Sequence, residues 1–297
     1  MITVKYKNIL VIGATSLVGK FLLSRLSQAG YATTALSRGP VPYTIEGADP
    51  KIRWVQADIL ANNDPLPGPG PYDAIISLAP IWVTASFLER ASIPVRRLVA
   101  LSSTSVHTKA ASSSLSEREL AARLHGGENS IMERCGQLGI KWTILRPTMI
   151  HGEGKDGNVA SIARFITRFG FFPVVGDGGG LRAPVHADEV AGAALGAMEC
   201  DSAQDKAYDI SGGQTITYRK MIERIFTALG KKPRIAPIPL WMARGGLRAL
   251  SFLPPFAHLN PELANRMSMD MAFDHSAATG DFGYDPGPFT PDIGAHG

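Results

Sequence analysis

Through the first half of the chain, short and nearly continuous apolar runs alternate with stretches whose apolar residues recur every three or four positions. The runs Asn8–Ile12, Ala32–Leu36, Ile52–Gln56, Ala74–Leu78, Arg97–Ser102 and Trp142–Leu145 predict strands. Several are nearly all apolar, as expected where helices cover both faces of a parallel sheet. Between the first two, Val18, Phe21, Leu22 and Leu26 fall at helical spacing and Gly30 stops the pattern, so a helix is expected over Leu17–Ala29. A longer helix is expected over Ser116–Leu138, opened by Ser116 and Glu119 as a capping box. The alternation predicts an α/β fold with a doubly wound parallel sheet of Rossmann type.

After Arg146-Pro147 the pattern changes. A glycine-rich stretch, HGEGKDGN, precedes a helical segment at Val159–Phe169 and a turn at Gly176–Gly180. Helices, short strands and many prolines follow. The division expected is a dinucleotide-binding domain over residues 1–150 and a smaller α/β substrate domain over most of 151–297. Part of 183–212 returns to complete the sheet. Asn62–Pro71 reads as a proline and glycine loop, and Pro237–Pro254, apolar with two arginines, as lid or substrate-domain helices ahead of a membrane-surface helix or an oligomer contact.

Of the 297 residues, 45% are apolar and 19% charged, enough apolar material for a large core. The net charge of +4 comes from scattered Lys and Arg. No basic stripe interleaved with aromatics appears, which argues against a nucleic-acid partner. Cys135 and Cys200 lie far apart without partners at ligand spacing, so neither a disulfide scaffold nor a metal site is expected, and a reducing cytoplasmic setting fits. No run reaches the length of a membrane span, and the N-terminus lacks a secretory pattern. A small-molecule substrate is the partner expected, with a homodimer left open.

The strongest local signal is the strand NILVI followed by GATSLVG and an amphipathic helix. Gly13 suits a tight turn off the strand, and Gly19 suits close packing of the helix on the sheet. The backbone N–H groups and the positive helix end then face a pyrophosphate. Gly13, Thr15, Ser16, Leu17, Val18 and Gly19 are the residues expected to cradle it, with the Ser16 N–H and hydroxyl replacing the usual middle glycine. Five residues separate the glycines, and Phe21 stands where a nucleotide-triphosphate loop needs Ser or Thr, so that alternative is set aside. At the tip of the second strand stand Ser37 and Arg38. An acidic residue there would take a ribose hydroxyl, whereas arginine accommodates a 2′-phosphate, so NADP is expected ahead of NAD.

The glycine loop, VQADIL, LAP, LVALSSTSVH, LRAPVH and the closing DFGYDPGPFTP together resemble the extended and atypical short-chain dehydrogenase/reductases, the NAD-dependent epimerase/dehydratase group. The resemblance spans nearly the whole chain. It implies that Asp58 and Ile59 lie against the adenine, and that Leu78, Ala79 and Pro80 run along the adenosine and pyrophosphate. It places Ser102 and Pro147 beside the cofactor and makes Ser103 the catalytic hydroxyl on the substrate oxygen. It puts His151 at the nicotinamide end and gives Arg182 the arginine that meets substrate phosphates in nucleotide-sugar enzymes. Ala183-Pro184 departs from the acidic-aromatic pair usual there. His186 and Asp188 are read as locking this turn onto the following helix.

The group's chemistry depends on Tyr-x-x-x-Lys on the helix after the serine strand, and here the sequence departs from the pattern. Counting back eighteen residues from Arg146 reaches Glu128, a register that puts Leu120 and Leu124 where the tyrosine and lysine belong. A second register, anchored on Glu133, would put His125 and Asn129 there. No tyrosine lies between Tyr72 and Tyr208. Losing a positioned acid–base group costs ~10²–10⁴-fold in rate. His107, His151 and His186 are the substitutes the sequence offers. Two functions therefore follow: an NADP-dependent oxidoreductase or epimerase-like enzyme on a small carbonyl, hydroxyl or sugar-like substrate, or a catalytically silent dinucleotide-binding sensor or assembly protein.

Overall fold

The computed structural model describes residues 6–39, 51–61, 71–90, 94–243, 245 and 262–294. The strands are β1 (Asn8–Ile12), β2 (Ala32–Ser37), β3 (Ile52–Gln56), β4 (Ala74–Ser77), β5 (Arg97–Leu101), β6 (Lys141–Pro147), β7 (Ile150–His151), β8 (Phe172–Val175), β9 (Leu181–Arg182), β10 (Val185–His186), β11 (Lys206–Ile210), β12 (Ile216–Thr217) and β13 (Ile235–Ile238). The helices are α1 (Leu17–Gln28), α2 (Ile81–Arg90), α3 (Ser105–Thr108), α4 (Leu115–Leu138), α5 (Val159–Phe169), α6 (Ala187–Glu199), α7 (Tyr218–Ala228), α8 (Glu262–Arg266) and α9 (Ser276–Phe282).

Seven strands form one parallel sheet in the order β11-β6-β5-β4-β1-β2-β3. The seventh, β11, comes from within the 183–212 stretch. The central strands are mostly apolar because both faces are covered, and β4 and β5 are buried at every position. In β1, Ile9 and Val11 enter one buried cluster with α1 and α6, while Leu10 and Ile12 enter another with α2 and α4. The strand order reverses between β1 and β4. In sheets of this kind, ligands bind outside the carboxyl ends of the strands at that crevice. The glycine loop leaves β1 there.

Beyond β6 come three two-stranded pairs, β7 with β10, β9 with β12 and β8 with β13. Strands β7 and β10 pack on the cluster of α1 and α6, while β8, β12, β13, α5 and α7 build a separate core around Ile166, Ile222, Ile225 and Phe226. The turn into α6 is held as the sequence suggests. The His186 Nδ1 accepts the Asp188 N–H at 3.1 Å, and Asp188 forms a two-point pair with Arg25 of α1 at 2.7 and 2.8 Å. Glu189 completes the cap by accepting the His186 N–H at 3.0 Å.

Two local expectations are corrected. Helix α4 begins at Leu115 with Ser114 as its N-cap, and no side chain caps it. Ser116 instead meets the Ser114 hydroxyl at 3.0 Å, and Glu119 is exposed, so the Ser116/Glu119 capping box does not form. In addition, α1 ends at Gln28, with Gly30 in the left-handed region just beyond (φ +87°). Within Pro237–Pro254, Leu240, Trp241 and Met242 are exposed, and 244 and 246–254 lie outside the described residues, as do 62–70 of the Asn62–Pro71 loop. Among the described residues no helix is long and apolar enough to cross a membrane.

Two buried polar groups brace this frame. Glu128 of α4, 2% exposed, accepts from Arg146 of β6 at 2.9 and 2.5 Å and from the Ser102 hydroxyl at 2.5 Å. His151 of β7, also 2% exposed, lies with its ring 5.2 Å from that of His186 and 5.0 Å from that of Phe289. Burial, reinforced by His186, pushes its pKa down from 6.5 to about 4.

Each makes a stability prediction. Glu128→Ala leaves Arg146 without its carboxylate beside the half-buried Ser102, and should cost about 3 kcal/mol in urea unfolding. A loss within the error of the measurement would show the pair to be neutral. For His151 the unfolded chain takes up a proton more readily than the folded one between pH 6.5 and about 4. Its contribution is therefore present above pH 6.5 and lost as pH falls toward 4. Urea midpoints should drop across this window in the wild type and drop less in His151→Leu. Parallel curves would count against the assignment.

Candidate functional site

The loop after β1 is shaped by two close approaches. Gly13 has φ +76°, and a Cβ there would lie 3.1 Å from the Ala79 nitrogen and 3.2 Å from the Leu78 carbonyl carbon. At Gly19 a Cβ would lie 2.3 Å from the Ala14 oxygen. Only glycine lets the first turn of α1 sit this close to the strand ends. Ser16 departs from expectation: its N–H donates to the Gly13 carbonyl at 3.0 Å, and its hydroxyl accepts the Gly19 N–H at 3.1 Å as the N-cap of α1. A serine before a helix is a strong cap, and this use wins over pointing outward. The N–H groups of Thr15, Leu17 and Val18 have no hydrogen-bond partner among the described residues. The first turn carries no acidic side chain to offset the positive helix end. Such a cradle fits a pyrophosphate.

On the β2 side, Ser37 is buried with its hydroxyl 3.4 Å from that of Thr15, and Arg38 is exposed at the strand tip. Asp58 opens the turn after β3, where its carboxylate accepts the Leu60 N–H at 2.9 Å. The carbonyls of Ile59 and Leu60 receive Arg90 at 2.6 and 2.9 Å. Leu78, Ala79 and Pro80 lead from β4 into α2 directly over Gly13.

At the carboxyl ends of β5 and β6 lies a cavity of about 370 Å³ bordered by Ser103, Thr148, Asn158, Lys109, Arg182 and Arg266. The Ser103 oxygen accepts the Ser105 N–H at 3.1 Å, the turn that starts α3, which leaves its proton free to donate. Ser102 faces the other way, toward Glu128, and the Pro147 carbonyl accepts from the Thr104 N–H at 3.2 Å. Arg182 borders the cavity, but its guanidinium is committed. Nη1 donates to the carbonyls of Leu181 and Met269 at 2.7 Å each, and Nη2 donates to that of Arg266. It builds the wall, so the expectation of a free phosphate-binding fork at Arg182 is corrected.

His151 is not part of this cavity. It borders a second, smaller one with His186, Pro184 and Phe289. His107 is exposed and lies 3.2 Å from Asp209. Sequence reasoning missed Lys109 and Arg266. Lys109 caps the end of α3, its N–H donating to the Ser105 carbonyl at 3.1 Å. Burial and the Arg266 guanidinium push its ammonium below the ordinary lysine range, against the pull of Glu117. The one available signal was a titratable side chain six residues after Ser103. Arg266 carried none, because it arrives from α8.

The Glu128–Arg146 pair settles the register of α4. Leu124 is 5% exposed and buried against the sheet, with Leu120 packed on the same cluster. His125 and Asn129 are exposed, so the register anchored on Glu133 is set aside. Gly127 lies where a Cβ would come within 2.9 Å of the Trp82 nitrogen, which lets α4 pack closely on α2.

No family model matches the chain. A (4-alkanoyl-5-oxo-2,5-dihydrofuran-3-yl)methyl phosphate reductase of Streptomyces griseus is 28% identical over 275 residues, 87% of this chain and 86% of that protein. The mitochondrial NADH dehydrogenase (ubiquinone) 1 alpha subcomplex subunit 9 of Arabidopsis thaliana is 30% identical over 128 residues, which cover 41% of this chain and only 31% of that one. Among solved structures, UDP-glucose 4-epimerase of Thermotoga maritima with UDP-glucose superposes with a TM-score of 0.67 at 17% identity, over 94% of this chain and 93% of that one. UDP-glucuronic acid 4-epimerase from Bacillus cereus in complex with NAD gives 0.69 at 18%, over 94% and 93%. The seven-stranded sheet, the glycine loop at its switch point and these likenesses lead to one conclusion: the chain has the fold of the extended short-chain dehydrogenase/reductases, the group of the NAD-dependent epimerases.

Proposed function

We propose that this chain is a nicotinamide-dinucleotide-dependent oxidoreductase that reduces a small carbonyl compound or oxidises the corresponding alcohol. The observation that carries the reading is the cradle at Gly13–Gly19, with its unpartnered N–H groups, standing at the same sheet edge as the Ser103 cavity. Thr15, Leu17 and Val18 hold the pyrophosphate through their backbone. Asp58, Ile59, Leu78, Ala79 and Pro80 lie along the adenosine half, while Ser102, through Glu128, and Pro147 hold the strand ends in register beneath the nicotinamide half. Bound there, the dinucleotide supplies or accepts a hydride, and the Ser103 hydroxyl donates a hydrogen bond to the substrate oxygen.

Reduction is favoured over epimerisation because the relative that spans most of both chains is a reductase. The silent-sensor reading rests only on Leu120 and Leu124, and nothing else in the site supports it. Arg182 positions the cavity wall, and His151, buried and neutral near pH 7, braces β7 and β10.

Arg38 supports NADP as the cofactor, although the B. cereus neighbour is an NAD complex. An exposed guanidinium at the tip of β2 suits the 2′-phosphate.

Titrating NADPH and NADH should give tighter binding of NADPH, and Arg38→Ala should cost NADPH about tenfold, the scale of one charge-assisted hydrogen bond. Equal affinity of the wild type for both would overturn the NADP assignment, and no binding of either would overturn the cradle. A screen of aldehydes, diketones, keto esters and acyl-butenolides, followed by NADPH absorbance, tests the oxidoreductase reading. Binding without turnover of any of them would favour the silent alternative.

A further inference from the structure

We propose that Lys109 is the proton donor to the substrate oxygen at Ser103, taking the place of the tyrosine that the Glu128 register replaces with Leu120. The proposal rests on the reading of the cavity as a carbonyl site.

The first support is position. Ser103 and Lys109 stand at the two ends of the α3 turn and border the same cavity. The hydrogen bonds Ser105 N–H to Ser103 Oγ and Lys109 N–H to Ser105 carbonyl, both 3.1 Å, fix the two residues relative to one another. The second is elimination. The other polar residues at the cavity wall are Ser, Thr, Asn and Arg, none of which exchanges a proton near neutral pH. The histidines the sequence offered lie elsewhere, His107 on Asp209 and His151 with His186 at the second cavity.

The third is electrostatic. Three charged groups face Lys109: Glu117 from α4, Arg266 from α8 and Arg182 from β9. Glu117 is claimed by Arg266 at 2.9 Å and by the Ser112 hydroxyl at 2.8 Å. Lys109 itself makes no side-chain hydrogen bond or ion pair among the described residues. A half-buried ammonium beside a guanidinium and without its own carboxylate is a stronger acid than a free lysine. That is the direction a general acid needs, since its proton must leave within the working pH range.

The balance of the step is simple. Hydride from the reduced dinucleotide forms the new C–H bond, and the carbonyl π pair moves onto oxygen. One proton passes from the Lys109 Nζ to that oxygen, and the resulting amine regains a proton from water. The products are an alcohol and the oxidised dinucleotide.

The test combines a readout of the lysine with one of turnover. After reductive methylation with labelled formaldehyde, one dimethyl-lysine resonance should titrate below the rest and be missing from Lys109→Arg. If all resonances titrate together, Lys109 is an ordinary lysine and the proposal falls. With diacetyl as the carbonyl probe and NADPH as reductant, kcat of the wild type should decline on the alkaline side. Lys109→Met should lower kcat by ~10²–10⁴-fold and abolish that limb. KM and NADPH affinity should hold, and retained NADPH binding reports that the variant is folded. Lys109→Arg, which keeps the charge but cannot give up its proton, should lose kcat equally. Full kcat in either variant overturns the proposal, as does a wild type that binds NADPH yet reduces no carbonyl. Failure to bind NADPH would instead strike the reading of the Gly13–Gly19 loop.

Discussion

Everything at the sheet's carboxyl edge depends on how closely the first turn of α1 approaches the ends of β1 and β4. With the would-be Cβ of Gly19 only 2.3 Å from the Ala14 oxygen, and that of Gly13 3.1 Å from the Ala79 nitrogen, any larger side chain would lift the helix from the crevice. That approach aims the free N–H groups of Thr15, Leu17 and Val18 outward. It also makes the Ser16 hydroxyl a cap, since a helix starting this tightly still has to satisfy its first donors. The edge becomes a place for an anion by backbone geometry alone.

A second constraint works from the other face. Glu128 is buried, and a carboxylate out of water needs partners. Arg146 and Ser102 supply them, so α4 is pinned to β5 and β6 at a single register. The positions that would carry a tyrosine and a lysine are thereby filled by Leu120 and Leu124, packed into the core. Under the proposed oxidoreductase reading, the proton donor comes from a side chain outside that helix. The α3 turn presents Lys109 beside Ser103, while Arg182 spends its donors holding Met269 and Arg266 over the same cavity.

Apolar periodicity alone placed six strands of the large sheet, and most of their ends, because strands buried on both faces leave little room for another pattern. The glycine spacing after β1 carried the cradle, since a missing Cβ is a backbone requirement legible without neighbours. The eighteen-residue interval from Glu128 to Arg146 likewise carried the register of α4. These are properties of local sequence. Tertiary structure decided the rest. It turned the Ser16 hydroxyl inward, moved the start of α4 to Leu115, spent the Arg182 guanidinium on carbonyls and buried His151 away from Ser103. It also joined Lys109 to Arg266, residues 157 positions apart whose proximity is set only by how α8 packs over the sheet edge. A side chain's charge is written in the sequence; what it has left to offer a ligand depends on the partners that folding brings to it.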